Sequence, residues 1–150
     1  MADGDLYDRD FYAWTKTQAE ALRTRGRAAN SLDYENLAEE VESLGRSDFR
    51  ESCARIRVIL VHLWKLETSQ REEPRAGWRR TIRTQRGDLA DVLTASLRQD
   101  AEDALEAQHP RAAKEAAEAL ADEEPDAPAI DAAKRWTLAQ ILGEDADPLA

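Results

Sequence analysis

Ile56-Arg57-Val58-Ile59-Leu60-Val61-His62-Leu63-Trp64-Lys65-Leu66 is the one stretch of this chain whose apolar residues reach almost every side of a helical wheel. Phe49, Cys53, Ile56, Leu60, Leu63 and Trp64 make one broad face, Ile59 and Leu66 widen it, and Val58 and Val61 carry apolar surface towards the back. Only Glu51, Arg55, His62 and Lys65 break the far side. A helix so wrapped in hydrocarbon needs neighbours on several sides, and the rest of the chain supplies one-sided amphipathic helices to surround it. The expected fold is therefore all-α: a single-domain helical bundle of about five or six helices around a central helix, Phe49 to Ser69, with no β-sheet.

Upstream, residues 1–6 read as a tail, and a first helix is expected from Asp8 as N-cap to Arg25, where Gly26 follows. Its apolar stripe is Tyr7, Phe11, Trp14 and Leu22, with Gln18 inside it. A polar link, Arg27 to Ser31, leads to a helix capped by Asp33, stapled by Leu32 and Leu37 and stopped at Gly45; Tyr34, Leu37, Val41 and Leu44 share its apolar face. Ser47 is the expected cap of the central helix. Downstream, Pro74 to Thr94 carries the stripe Trp78, Ile82, Leu89, Val92 and Leu93, interrupted by Gln85 and Arg86. Ser96 and Gln99 spell a capping box for an alanine-rich segment that reaches Ala121 and breaks at His109, ahead of Pro110. Residues 123–135 form a linker before a short last helix with its own capping box, Thr137 to Gln140, stapled by Trp136 and Ile141.

A chain of 150 residues fits one domain, 1–150, with a real core. The net charge of −10 is uneven: residues 1–90 hold 16 basic against 16 acidic residues, whereas residues 91–150 hold 5 against 15. No secretory signal pattern opens the sequence and no apolar run reaches the roughly 20 residues that span a bilayer, so a cytoplasmic setting is expected. Cys53, on the apolar face, reads as a small core residue rather than a nucleophile.

Glu39 and Glu42 form an E-x-x-E, half of the magnesium cage of helical nucleotide pyrophosphohydrolases; no E-x-x-D lies between residues 54 and 90 to complete it. Glu106 and His109 are the only E-x-x-H, and one such pair makes no di-iron site. There is no nucleophile elbow and no Gly-rich phosphate loop. The expectation is accordingly no metal and no cofactor. Arg79, Arg83 and Arg86 line one helix flank as the single basic strip, and with a sequence pI near 4.7 it is expected to pair internally rather than meet nucleic acid.

Five motifs in order, Tyr7-Asp8-Arg9-Asp10-Phe11-Tyr12-Ala13-Trp14, Leu37-Ala38-Glu39-Glu40-Val41-Glu42-Ser43-Leu44-Gly45-Arg46-Ser47, His62-Leu63-Trp64-Lys65, Trp78-Arg79-Arg80-Thr81-Ile82-Arg83-Thr84-Gln85-Arg86 and Trp136-Thr137-Leu138-Ala139-Gln140-Ile141-Leu142, resemble the bacterial domain-of-unknown-function 29 (DUF29) family. The resemblance implies an all-helical cytoplasmic domain with no established activity, and it singles out the polar positions Glu39, Glu40, Glu42, Arg46, His62, Lys65, Gln85 and Arg86. From these comes a candidate polar cluster, Glu40, Glu42, Arg46, His62, Gln85 and Arg86, read first as an internal network within an interaction or scaffold domain. That domain would have no chemistry of its own and would bind another protein or a second copy. The alternatives are a small-ligand-binding or hydrolytic enzyme with a pocket lined by Glu40, Arg46, His62 and Arg86, and a nucleic-acid-binding accessory using Arg79, Arg80 and Arg83.

Overall fold

The computed structural model describes residues 2–25 and 32–150, and among them the chain is all helix and loop. The central apolar stretch lies in the second half of one long helix, α3 (Tyr34–Thr68), against which α2 (Phe11–Arg25), α4 (Arg75–Val92), α5 (Ala95–Asp103), α6 (Leu105–Glu123) and α7 (Leu138–Leu142) all pack, with α1 (Ala2–Arg9) leaning on α2. Ile56, Ile59, Leu60, Leu63 and Trp64 are all but inaccessible to solvent. Round them stand Trp78, Ile82 and Leu89 from α4, Ala112, Ala113 and Ala116 from α6, and Trp136, Leu138 and Ile141 from the C-terminal segment. The alanines let α6 approach α3 closely, and Cys53 is buried as expected.

The joint expected at Gly45 and Ser47 is absent: α3 runs unbroken for 35 residues from its Asp33 cap, whose side chain accepts from the Asn36 amide at 3.1 Å. Gly45 is not a stop but a contact. A Cβ built there would run into Thr15 Oγ1 and come within 3.3 Å of Tyr12 Cδ2 on α2, so the glycine is what allows two helices to touch. The other breaks move too. The region read as a tail is helical from Ala2, and the cap of α2 is Asp10 rather than Asp8, its carboxylate taking the Ala13 amide at 3.0 Å. The same carboxylate takes the Ser96 amide and hydroxyl, at 2.9 and 2.7 Å, so Ser96 is not the cap of α5; Thr94 is. Pro110 lies inside α6, because the chain breaks at Ala104 and little helix precedes the ring for it to disrupt. The Gly26 stop and the Arg27 to Ser31 link lie outside the described residues.

The segment between α6 and α7 is pinned at three points. Glu124 accepts from Ser69 Oγ and from the Gln70 amide, at 2.5 and 3.1 Å; Trp64 Nε1 donates to Asp131 O at 2.9 Å; and the Trp136 amide donates to His109 Nε2 at 3.1 Å. The Thr137–Gln140 capping box forms as read, and α7 ends at Gly143 in the left-handed region, φ 75°.

Candidate functional site

The six candidate polar residues share no pocket. Glu40 is exposed, with no ion pair among the described residues. Glu42 meets Arg23 on α2 at 2.7 Å and Arg46 at 3.6 Å, and the Arg23 hydrogen bond holds its carboxyl below the usual glutamate range. Arg46 also binds Glu39 at 2.5 Å. His62 is half-buried and its Nδ1 lies 2.8 Å from Val58 O in its own helix; burial pushes its pKa down. Gln85 accepts from Arg55, which also binds Glu51 and Asp88. Arg86 reaches in another direction. Its guanidinium donates to Ile141 O at 2.8 Å and Gln140 O at 3.1 Å and pairs with Asp147 at 2.8 Å, so it clamps the C-terminal segment. Gln85 and Arg86 find the partners that their places in an apolar stripe require, but Glu40 and Arg86 do not meet, which corrects the closed network expected between them. Among the described residues, no group of three or more His, Cys, Asp or Glu is placed to hold a metal ion. Burial raises the Cys53 thiol, which makes it a poor nucleophile.

The feature that stands out lies on the N-terminal half of α3. There α2 and α3 run antiparallel, and the residues at their seam are small: Thr15 and Ala19 beside Tyr12 on α2, and Ala38 and Gly45 on α3, all buried. The seam is closed on one flank by Arg23 with Glu35, Glu39 and Glu42, and by Lys16 with Asp100, which also takes the Tyr12 hydroxyl at 2.5 Å. The apolar stripes of both helices consequently lie on the opposite flank, side by side and partly exposed, with Phe11, Trp14, Leu22 and Val41 half-buried. Tyr7, Phe11 and Trp14 form a ring cluster with centroids 4.9 to 5.6 Å apart. Across the seam lie Leu37, Val41 and Leu44, and Tyr7, Leu37 and Leu44 are 50%, 41% and 52% exposed. Both stripes were legible in the sequence. Their burial against one another was not what they were for.

A family model described as domain of unknown function DUF29 matches residues 6–146. A crystal structure of an α-helical protein of unknown function from Rhodospirillum rubrum is 28% identical and has a TM-score of 0.81, over 95% of this chain and 92% of that one. No curated protein matches this chain.

Proposed function

This chain belongs to the DUF29 family, a domain of unknown function, and from that premise we propose that it is a cytoplasmic interaction domain without chemistry of its own, which associates with a second copy of itself through the flank of Tyr7, Phe11, Trp14, Leu22, Leu37, Val41 and Leu44. The observation that carries the reading is that two amphipathic stripes, each of which should be buried, share one open face. A two-helix hairpin with one apolar face is self-complementary: a two-fold rotation makes a four-helix bundle. Rotation about an axis parallel to the helices lays each α2 on the other copy's α3. Arg25, at the rim of α2, then comes towards Asp33 and Glu40 at the rim of α3, and none of these three has an ion pair within the described part of one copy. The open apolar side chains present on the order of 500 Å² per copy, and with their polar rim they approach the roughly 800 Å² per partner of a standard interface. That the chain forms one domain, 1–150, is part of the same reading.

Sedimentation tests it. The protein should pass from monomer to dimer between about 5 and 500 µM, and Leu44→Glu or Leu37→Glu should keep it monomeric without lowering its melting temperature at concentrations where the wild type is monomeric, because both side chains are exposed in the single copy. A wild-type protein that stays monomeric throughout that range rules out the self-association.

A further inference from the structure

At the far end of α3, away from the hairpin, a cleft of about 370 Å³ opens between the α3 C-terminal half, the start of α4, the segment before α7 and the chain after it. Four cations line it, Arg75 and Arg79 from α4 and Lys134 and Arg135 from the segment before α7, against one carboxylate, Glu67. In a chain of net charge −10 this is a local surplus of three positive charges, four minus one. It also concentrates scarce residues: residues 91–150 contain only 5 Lys and Arg, and two of them stand here side by side.

The four differ in what already occupies them. Lys134 is paired with Glu67 and lies 5.1 Å over the Trp136 ring, and Arg135 pairs with Glu106 at 3.1 Å. Arg75 and Arg79, by contrast, meet no carboxylate among the described residues. The Arg75 guanidinium donates only to Ser69 O, at 3.3 Å, and the Arg79 guanidinium has no hydrogen-bond or ion-pair partner there. Both are half-buried, so each guanidinium has lost part of its water without gaining an anion. They stand one helical turn apart, on one face. Besides these charges and Gln140, the lining is apolar, with Pro148 and Leu149 open to solvent and Leu63, Leu66 and Trp136 buried beneath.

We infer that this cleft binds a small organic anion, its phosphate or carboxylate head held by Arg75 and Arg79 and its apolar body laid against Pro148 and Leu149, the apolar lining residues that solvent reaches. Guanidinium suits such a head because its planar fork offers paired donors, and the volume is that of a small-ligand site. Duplex nucleic acid fits poorly. Arg80 and Arg83 lie outside the lining, and the field of the rest of the molecule is negative. The expected internal neutralisation of the arginine strip therefore holds for Arg86, with Asp147, and not for Arg79.

Calorimetric titration with phenyl phosphate, inorganic phosphate and benzyl alcohol tests each part. Phenyl phosphate should bind saturably, inorganic phosphate at least about tenfold more weakly, and the neutral alcohol not at all. Arg79→Ala and Arg75→Ala should each weaken phenyl phosphate about tenfold or more, whereas Arg83→Ala and the hairpin variant Leu44→Glu should leave it unchanged. Arg79→Gln, which keeps the three-carbon stem and a polar end without the charge, replaces the alanine variant if thermal melting shows the latter to be misfolded. Absence of saturable binding up to about 10 mM, or equal affinity in wild type and the folded Arg79 variant, overturns the proposal. Equal binding of phenyl and inorganic phosphate overturns the role given to the apolar wall.

Discussion

Gly45→Ala probes the seam that fixes the N-terminal half of the fold. In an open stretch of helix the exchange would stabilise by about 1 kcal/mol, the difference in helix propensity. Here the new methyl meets Thr15 Oγ1, and Thr15 is wholly buried with its hydroxyl already donated to Tyr12 O at 2.8 Å. It cannot turn aside without losing that bond. Overpacking of such a contact costs about 1–3 kcal/mol, and because the obstructing atom is short and fixed we expect a net loss of about 1–2 kcal/mol. Removing the obstruction should reverse the result. In a Thr15→Ala background the nearest remaining atoms are Tyr12 Cδ2 at 3.3 Å and the residue-15 Cβ at 3.4 Å, and Gly45→Ala should become neutral or stabilising. Urea melts of the wild type, both single variants and the double variant give the coupling directly, expected at about 2 kcal/mol. A glycine that ends a helix would also resist alanine, but through its own backbone, indifferent to Thr15. An equal cost in both backgrounds would therefore refute the close approach of α2 and α3.

Two further outcomes follow from the polar groups. His109 is buried, with Nδ1 donating to Leu105 O and Nε2 accepting the Trp136 amide, so its ring is held neutral; burial lowers both its pKa and that of His62. The unfolded chain takes up protons below about pH 6.5 that the folded chain resists, so stability present above that pH is lost as it falls towards 5. Carboxylates held low, such as Asp100 by Lys16 and Asp147 by Arg86, add their loss only at more acid pH. Urea midpoints should fall from pH 7.5 to 5, less steeply in His109→Gln; a flat profile contradicts the neutral, locked ring. Arg86→Met should cost about 2–3 kcal/mol in a thermal melt, since it strands Asp147 and unclips α7, whereas Glu40→Gln, measured below the concentration at which copies associate, should stay within about 0.5 kcal/mol.

Ile56 to Leu66 announced the centre of the fold because a helix with apolar residues on nearly all sides has only one stable place, and that inference uses nothing beyond helical periodicity. The Asp33 cap and the Thr137–Gln140 box were legible for a similar reason, since a cap is a bargain struck within four residues. Gly45 shows where this ends. A glycine that stops a helix and one that admits a neighbour look alike in sequence, and only the position of Thr15 on another helix separates them. Pro110 is the same case, its effect depending on a break at Ala104 that no local signal marks. The six polar residues were identifiable as needing partners, but which partner each takes is a matter of long-range approach: Arg86 reaches Asp147 and Glu42 reaches Arg23 across intervals that carry no periodic signal. Both apolar stripes of the hairpin could be read from the sequence. That they point the same way and stay open was decided by the small residues of the seam, which pack the two helices through their least hydrophobic sides. Arg75, Lys134 and Arg135 carried no motif, and only the folded chain gathers them round one cleft.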